Sequence, residues 1–207
     1  MLKTVVFDLG QVVIKWDPFG SQEGFLTSQE WDDFLVRTDF WSFNRSLDAG
    51  VDLAVARKWF QSHYPADLEI FDRYVARFPA TLRGPVPGML ELIEDLHAMS
   101  VPTAVLSNWP HQLFGHALAH LPVIDKLGPR IVSGEVGLAK PDRRIFERLL
   151  QLIDKSPKEV VFIDDNVDNV EAASALGIDA ILFTDADQLR TELVQRRLAP
   201  TMGLHHS

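Results

Sequence analysis

The sequence predicts an α/β protein: a doubly wound parallel sheet with a helical cap domain inserted into it. Three observations predict this. Short apolar runs that stop at polar or turn residues recur along the chain, and amphipathic stretches of helical period separate them. One long segment rich in Trp and Phe breaks that rhythm directly after the first run.

The first strand is "TVVFD", ending at Asp8. The segment 16–81 follows, helical in character and carrying Trp16, Phe25, Trp31, Phe34, Phe40, Trp41, Phe43, Trp59, Phe60 and Phe71. A βα loop typically needs about 2 to 6 residues, so 16–81 reads as a domain of its own, with 1–15 and 82–207 forming the core. "FPATLRGPVPG" has the prolines and glycines of a hinge back into the core. Beyond it, "GMLELIEDLHAM" is a helix, "PTAVLSN" the second strand and "RIVSG" the third. "DRRIFERLLQLI" is a helix, "EVVFIDD" the fourth strand, "VDNVEAASALG" a helix and "DAILFT" the last strand. His111, His116 and His120 recur at roughly helical spacing and read as a solvated face. The ending "GLHHS" lies past the last helical pattern and is given no function.

Composition narrows the function. The chain has 207 residues, 29 acidic against 20 basic for a net charge of −9, and no basic run that could track nucleic acid or an anionic membrane. It has no cysteine, which excludes disulfides, thiolate metal sites and thiol catalysis. There is no basic, apolar leader and no stretch near the roughly 18 to 20 apolar residues of a membrane span, so a cytoplasmic location is expected.

In open α/β sheets ligands bind outside the carboxyl ends of the strands. There the sequence places Asp8, then Ser107 and Asn108, then Lys140 in "GLAKPD", then Asp164 and Asp165. Three carboxylates at one sheet edge raise one another's pKa unless a cation intervenes. Asp8 and Asp165, with Asp164 as a further candidate and the main-chain carbonyl of Gly10, form the oxygen-only ligand set that Mg²⁺ takes. Ser107 and Lys140 are then placed to donate to a phosphoryl group that Asp8 attacks. Leu9, Gly10 and Asn108 join them as substrate-binding positions, with Trp16 and Trp109 walling the pocket and, from the cap, Arg45 and its neighbour Asn44 reaching toward the substrate. Each residue alone also has a plainer reading: Asp164 and Asp165 as helix caps, Ser107 and Asn108 as a loop start, Lys140 as a solvated helix entry.

The order and spacing of "FDLGQVV", "LSN", "AKPD" and "FIDDNVDNVEAA" resemble the four motifs of the haloacid dehalogenase superfamily, over almost the whole chain. "FDLGQVVIKWDP", "LSNW" and "KPDRRIFE" resemble its small-capped branch, which includes sugar-phosphate phosphatases. The resemblance implies a Mg²⁺-dependent phosphatase that hydrolyses a small phosphate ester through an aspartyl-phosphate on Asp8. The chain departs from the pattern at Gly10, where most of these phosphatases carry the Asp that protonates the leaving oxygen, and at Val12 and Asn169. Asp17 is the candidate substitute acid, and water is the other. Three alternatives stand beside this reading: a metal-free 2-haloacid dehalogenase, a phosphoacceptor signalling module, and a catalytically impaired relative that binds a partner. A module of the signalling kind would carry its acid pair after the first strand and its lysine last, the reverse of the order here.

Overall fold

Alternation along each strand decides the layers. In the first strand, β1 (Thr4–Phe7), Val5 and Phe7 point to one side of the sheet and Val6 to the other, and all are fully buried. The computed structural model describes residues 3–200. The chain leaves β1 for β2 (Ile14–Trp16), then runs through four helices, α1 (Ser28–Thr38), α2 (Phe40–Asp48), α3 (Leu53–His63) and α4 (Leu68–Ala76), and returns as β3 (Leu82–Pro85). Then follow α5 (Met89–Ala98), β4 (Thr103–Ser107), α6 (His111–His120), β5 (Arg130–Val132), the short α7 (Ser133–Val136) and α8 (Arg143–Ile153). The chain closes with β6 (Val160–Asp164), α9 (Val167–Ala175), β7 (Asp179–Leu182) and α10 (Ala186–Gln195). The five-stranded sheet has the order β5-β4-β1-β6-β7, with every pair parallel. The doubly wound sheet is therefore present, and β1 lies at its centre between β4 and β6.

Helices form where the sequence supplies caps. Thr27 and Glu30 make a reciprocal capping box at the start of α1, and Asp52, Asp142, Asn166 and Asp185 accept first-turn N–H groups of α3, α8, α9 and α10. On one sheet face Ile145, Phe146 and Leu149 of α8 and Ala173 of α9 pack on Val6, Leu106 and Phe162. The opposite face, with Val5, Phe7 and Ile163, packs in one continuous core with α5, α6, α10 and the inserted helices. Within that insertion Phe60 stacks on Phe71 at 5.0 Å between ring centres, and Phe40 meets the edge of Tyr74 at 5.2 Å. Phe25, Trp41 and Trp59 stay substantially exposed instead, and Phe25 lies beneath the guanidinium groups of Arg73 and Arg77.

A feature beyond the sequence-based expectation is a two-stranded antiparallel ribbon that joins insertion to sheet. Ile14 pairs with Pro85 and Trp16 with Leu82, and Val86 N donates to Val13 O at 3.0 Å. The third predicted strand is shorter than "RIVSG": Ser133 and Gly134 already belong to α7. His111, His116 and His120 are all exposed, as a solvated face requires. The "GLHHS" ending lies outside the described residues, among which no helix is long and apolar enough to cross a membrane.

Candidate active site

Adjacent central strands bring the polar groups together. Asp8 follows β1, Ser107 ends β4 and Asp164 ends β6, so three neighbouring strands open at one edge. Asp8, Asp164 and Asp165 each direct a carboxylate oxygen into a cluster whose members lie within 4.8 Å of one another. Lys140 Nζ sits 2.9 Å from Asp8 Oδ1 and 2.6 Å from Asp164 Oδ2, with its side chain almost wholly buried. Only the contact to Asp164 has the direction of a hydrogen bond.

The three carboxylates are not equivalent. Asp164 is fully buried and engaged: besides Lys140, Asn166 N donates to it at 2.9 Å and Asn169 Nδ2 at 3.0 and 3.1 Å. Asn169, at a position where the family pattern often has an acid, is thus spent on orienting Asp164. Asp8 carries no comparable set of donors. Burial pushes its carboxyl up to about 6; Lys140 opposes this, and the charges of Asp164 and Asp165 add to it. Burial, then Asp164, also raises Asp165. Burial works against the Lys140 ammonium, but the charges of Asp8 and Asp164 outweigh it and hold its pKa above the ordinary lysine value.

Asn108 lines the cleft and bonds both ends of its amide to the backbone of Lys140. Its Nδ2 donates to Lys140 O at 2.9 Å and its Oδ1 accepts from Lys140 N at 2.8 Å, a bracket that fixes the backbone carrying the lysine. The next residue is pinned as well: Trp109 N donates to Ser133 Oγ at 2.9 Å, and Gly134 N donates to Trp109 O at 3.1 Å. A Cβ at Gly134 would come within 2.5 Å of His111 N and 2.7 Å of Trp109 O, so only glycine permits this approach.

Beside the carboxylates opens a narrow cleft of about 70 Å³. Gly10, Asn108, Trp109 and Pro110 line it from the sheet side, Trp16 from the ribbon, and Asn44, Asp48, Tyr74 and Phe78 from the insertion. Among the described residues, four buried side-chain polar atoms lack a hydrogen-bond partner: Asp8 Oδ1, Ser107 Oγ, Trp16 Nε1 and Trp109 Nε1. Asp8 and Ser107 stand at neighbouring strand ends, and both indoles belong to the cleft wall. Orphaned buried groups are rare and costly; Ser107 Oγ stands beside the acidic cluster and the two indoles on the cleft wall, whereas Asp8 Oδ1 faces the Lys140 ammonium.

Several expected site residues are placed otherwise. Asp17 caps the 3₁₀ turn of Pro18–Ser21 through Phe19 N and pairs with Arg83 at 2.9 Å, away from the cleft lining. Its proximity to Asp8 in sequence is lost because the ribbon carries the chain away. Arg45 is exposed and donates to Ser42 Oγ at 2.6 Å, outside the cleft lining. Leu9 buries its side chain in the core, and its carbonyl accepts from Val13 and Ile14, both at 2.9 Å. Gly10 does line the cleft, yet not because the turn needs a left-handed residue: Gln11, with φ 58°, holds that conformation. A Cβ on Gly10 would meet nothing within 4 Å.

The sequence-based reading missed Asp48 and Tyr74. Tyr74 Oη donates to Asn44 Oδ1 at 3.1 Å, and Asn44 Nδ2 donates to Asp48 Oδ2 at 3.4 Å. Burial, then the charge of Asp8, pushes the Asp48 carboxyl up to about 7 against Lys140 and Arg45. The signal that could have found it is the spacing of four between Asn44 and Asp48, which puts both on one side of a helix.

Comparison with known proteins shows the family and the fold. A family model described as haloacid dehalogenase-like hydrolase matches residues 2–177. A sesquiterpene phosphatase from Aspergillus oryzae is 27% identical over 93% of this chain and 95% of its own. Drimenol cyclase from Aspergillus calidoustus is 41% identical, but over 34% of this chain, which spans only 13% of that protein's length. A HAD family enzyme from Bacteroides thetaiotaomicron, crystallised as a magnesium complex, superposes with a TM-score of 0.72 at 22% identity, covering 94% of this chain and 98% of that one.

Proposed function

The chain belongs to the haloacid dehalogenase-like hydrolase family, and within it we propose a Mg²⁺-dependent phosphomonoesterase that acts on a small phosphate ester. The observation that carries this reading is the convergence of three carboxylates and one buried lysine on a spot where Ser107 Oγ has no hydrogen-bond partner and Asp8 Oδ1 has only the ion pair with Lys140. The donor set fits a hard divalent cation: every candidate ligand atom is an oxygen, from the carboxylates or the Gly10 main chain, and two of the carboxyls are raised by burial and by like charge, which a cation there would offset. Asp8 and Asp165 would hold it, with Asp164 behind them. When bound, Mg²⁺ neutralises charge on the phosphoryl oxygens and on the cluster.

The chain's own groups do the rest. Asp8 attacks phosphorus with a carboxylate oxygen, and the bond from phosphorus to the alcohol oxygen breaks, leaving an aspartyl-phosphate. Ser107 Oγ–H and the Lys140 ammonium donate to the phosphoryl oxygens, Lys140 being held by Asp164 and by the Asn108 bracket. The segment 16–81 acts as the cap, its aromatic side chains excluding water from the cleft. Trp16, Tyr74, Phe78 and Trp109 make the walls largely aromatic. These walls and the sesquiterpene phosphatase relative support an apolar or ring-bearing alcohol over a polyol.

The test is a panel of apolar, aryl and sugar phosphate esters plus 2-chloropropionate, with and without Mg²⁺, reading phosphate and chloride separately. The expected outcome is phosphate release that EDTA stops and Mg²⁺ restores, fastest with apolar esters. Chloride release without metal would replace the reading by a dehalogenase.

A further inference from the structure

We propose that Asp48, carried into the cleft by the last turn of α2, is the catalytic acid and base of the reaction. It protonates the departing alcohol oxygen and then takes a proton from the attacking water. The inference rests on the phosphomonoesterase reading and answers the question that Gly10 raises, since position 10 has no side chain to do this work.

Position comes first. Asp48 lines the same cleft as Gly10 and Asn108 but from the opposite wall, near enough to Asp8 for the two charges to be felt. The space beside Gly10 is open, with nothing within 4 Å of where a Cβ would stand, so a leaving oxygen can lie between the two walls. Other carboxyls are committed elsewhere: Asp17 to Arg83, Asp164 to Lys140 and two asparagines, Asp165 to the acidic cluster. The exposed histidines of α6 are absent from the cleft lining.

Orientation comes second. The Tyr74 hydroxyl has its proton on Asn44 Oδ1, which forces the amide of Asn44 to present Nδ2 to Asp48. An N–H donor on Oδ2 leaves Oδ1 as the oxygen that carries the proton, and among the described residues Oδ1 makes no hydrogen bond. The groups facing this carboxyl are Asp8 after β1, Lys140 ahead of α8, Arg45 on its own helix and Tyr74 on α4. Burial and the Asp8 charge dominate, and the carboxyl stays protonated up to about 7, where an ordinary aspartate would already have lost its proton.

The proton balance closes. In the first step the Asp8 oxygen bonds to phosphorus, the ester oxygen leaves with its electron pair, and the Asp48 proton goes to that oxygen, releasing neutral alcohol and leaving Asp48 ionised. In the second, water bonds to phosphorus and gives one proton to Asp48. The Asp8–phosphorus bond breaks, and Asp8 carboxylate, hydrogen phosphate and protonated Asp48 return.

The experiment compares wild type, Asp48→Asn and Asp48→Glu, all with saturating Mg²⁺, on an alkyl phosphate and on 2,4-dinitrophenyl phosphate, whose leaving group needs no proton. Asp48→Asn should lower kcat/KM about 100-fold or more on the alkyl ester and less than about threefold on the dinitrophenyl ester. The dinitrophenyl ester should also give a stoichiometric burst of dinitrophenolate, because the second step is slowed. Asp48→Glu should recover part of the alkyl activity, and orthovanadate affinity should be the same in all three proteins. Equal losses of kcat/KM on both esters, or no loss on the alkyl ester, would overturn the role of Asp48 while leaving the phosphatase reading intact. Wild type inert on both esters would overturn both.

Discussion

Replacing the nucleophile should make the metal-free protein more stable, and by a predictable amount. Asp8→Asn keeps the volume and removes a buried charge whose carboxyl is displaced from 3.8 to about 6. A rise of that size corresponds to about 3 kcal/mol. The carboxyl is raised in the folded state, so the fold prefers it protonated. The penalty is absent below about pH 4, grows as pH rises toward 6, and is full above that. Lys140 is not orphaned by the change, because Asp164 still accepts from it at 2.6 Å. For a domain of this size about 3 kcal/mol corresponds to roughly 6 to 12 °C in Tm. Thermal unfolding in EDTA between pH 4 and 8 measures it: the variant should match wild type at the acid end and exceed it by that margin at pH 8. A variant less stable than wild type, or a difference that does not change with pH, would refute the argument that burial and like charge dominate at Asp8.

Two further substitutions probe the surroundings. Ser107→Ala removes a buried hydroxyl with no partner, so the fold should lose nothing measurable, while orthovanadate affinity, read by tryptophan fluorescence, should fall about tenfold for the lost donor. Gly134→Ala places a methyl group against main-chain atoms of His111 and Trp109 and should cost about 2 kcal/mol or more in urea unfolding, whereas Gly10→Ala enters open space and should cost little.

How much of the site was legible in the sequence depends on how far each residue stands from a strand. Apolar runs that stop at Asp8, Ser107 and Asp164 announce both the strand and its carboxyl end, and in a parallel sheet all such ends face one way. Asp48 carries no such mark. Its role depends on how α2 is rotated and docked, which packing of Phe40, Phe43 and Leu47 determines and no local pattern reveals. Asp17 misled for the converse reason: nine residues from Asp8 along the chain, it is separated from the cleft by a ribbon whose strands are three and four residues long. Strands that short, one of them ending in Pro85, leave almost no periodicity to read. Asn108 was recognised as a site residue but not as the clamp on Lys140, since its partner lies 32 residues away.

The strand order has a consequence for biosynthesis. β1 is made before the rest of its sheet, yet its neighbours are distant: Val5 pairs with Thr103 on one side and Val161 on the other. At about 5 to 20 residues per second, β1 leaves the ribosomal peptidyl centre roughly 8 to 30 s before β6 is made. The inserted helices, which also pack on one another (α1 on α2, α3 on α4), have that interval to form. Nascent β1 must keep its Val-Val-Phe core segment from other chains until β6 arrives. The acidic cluster is assembled only then, so the repulsion between Asp8 and Asp164 arises when nearly all of the sheet is available to resist it.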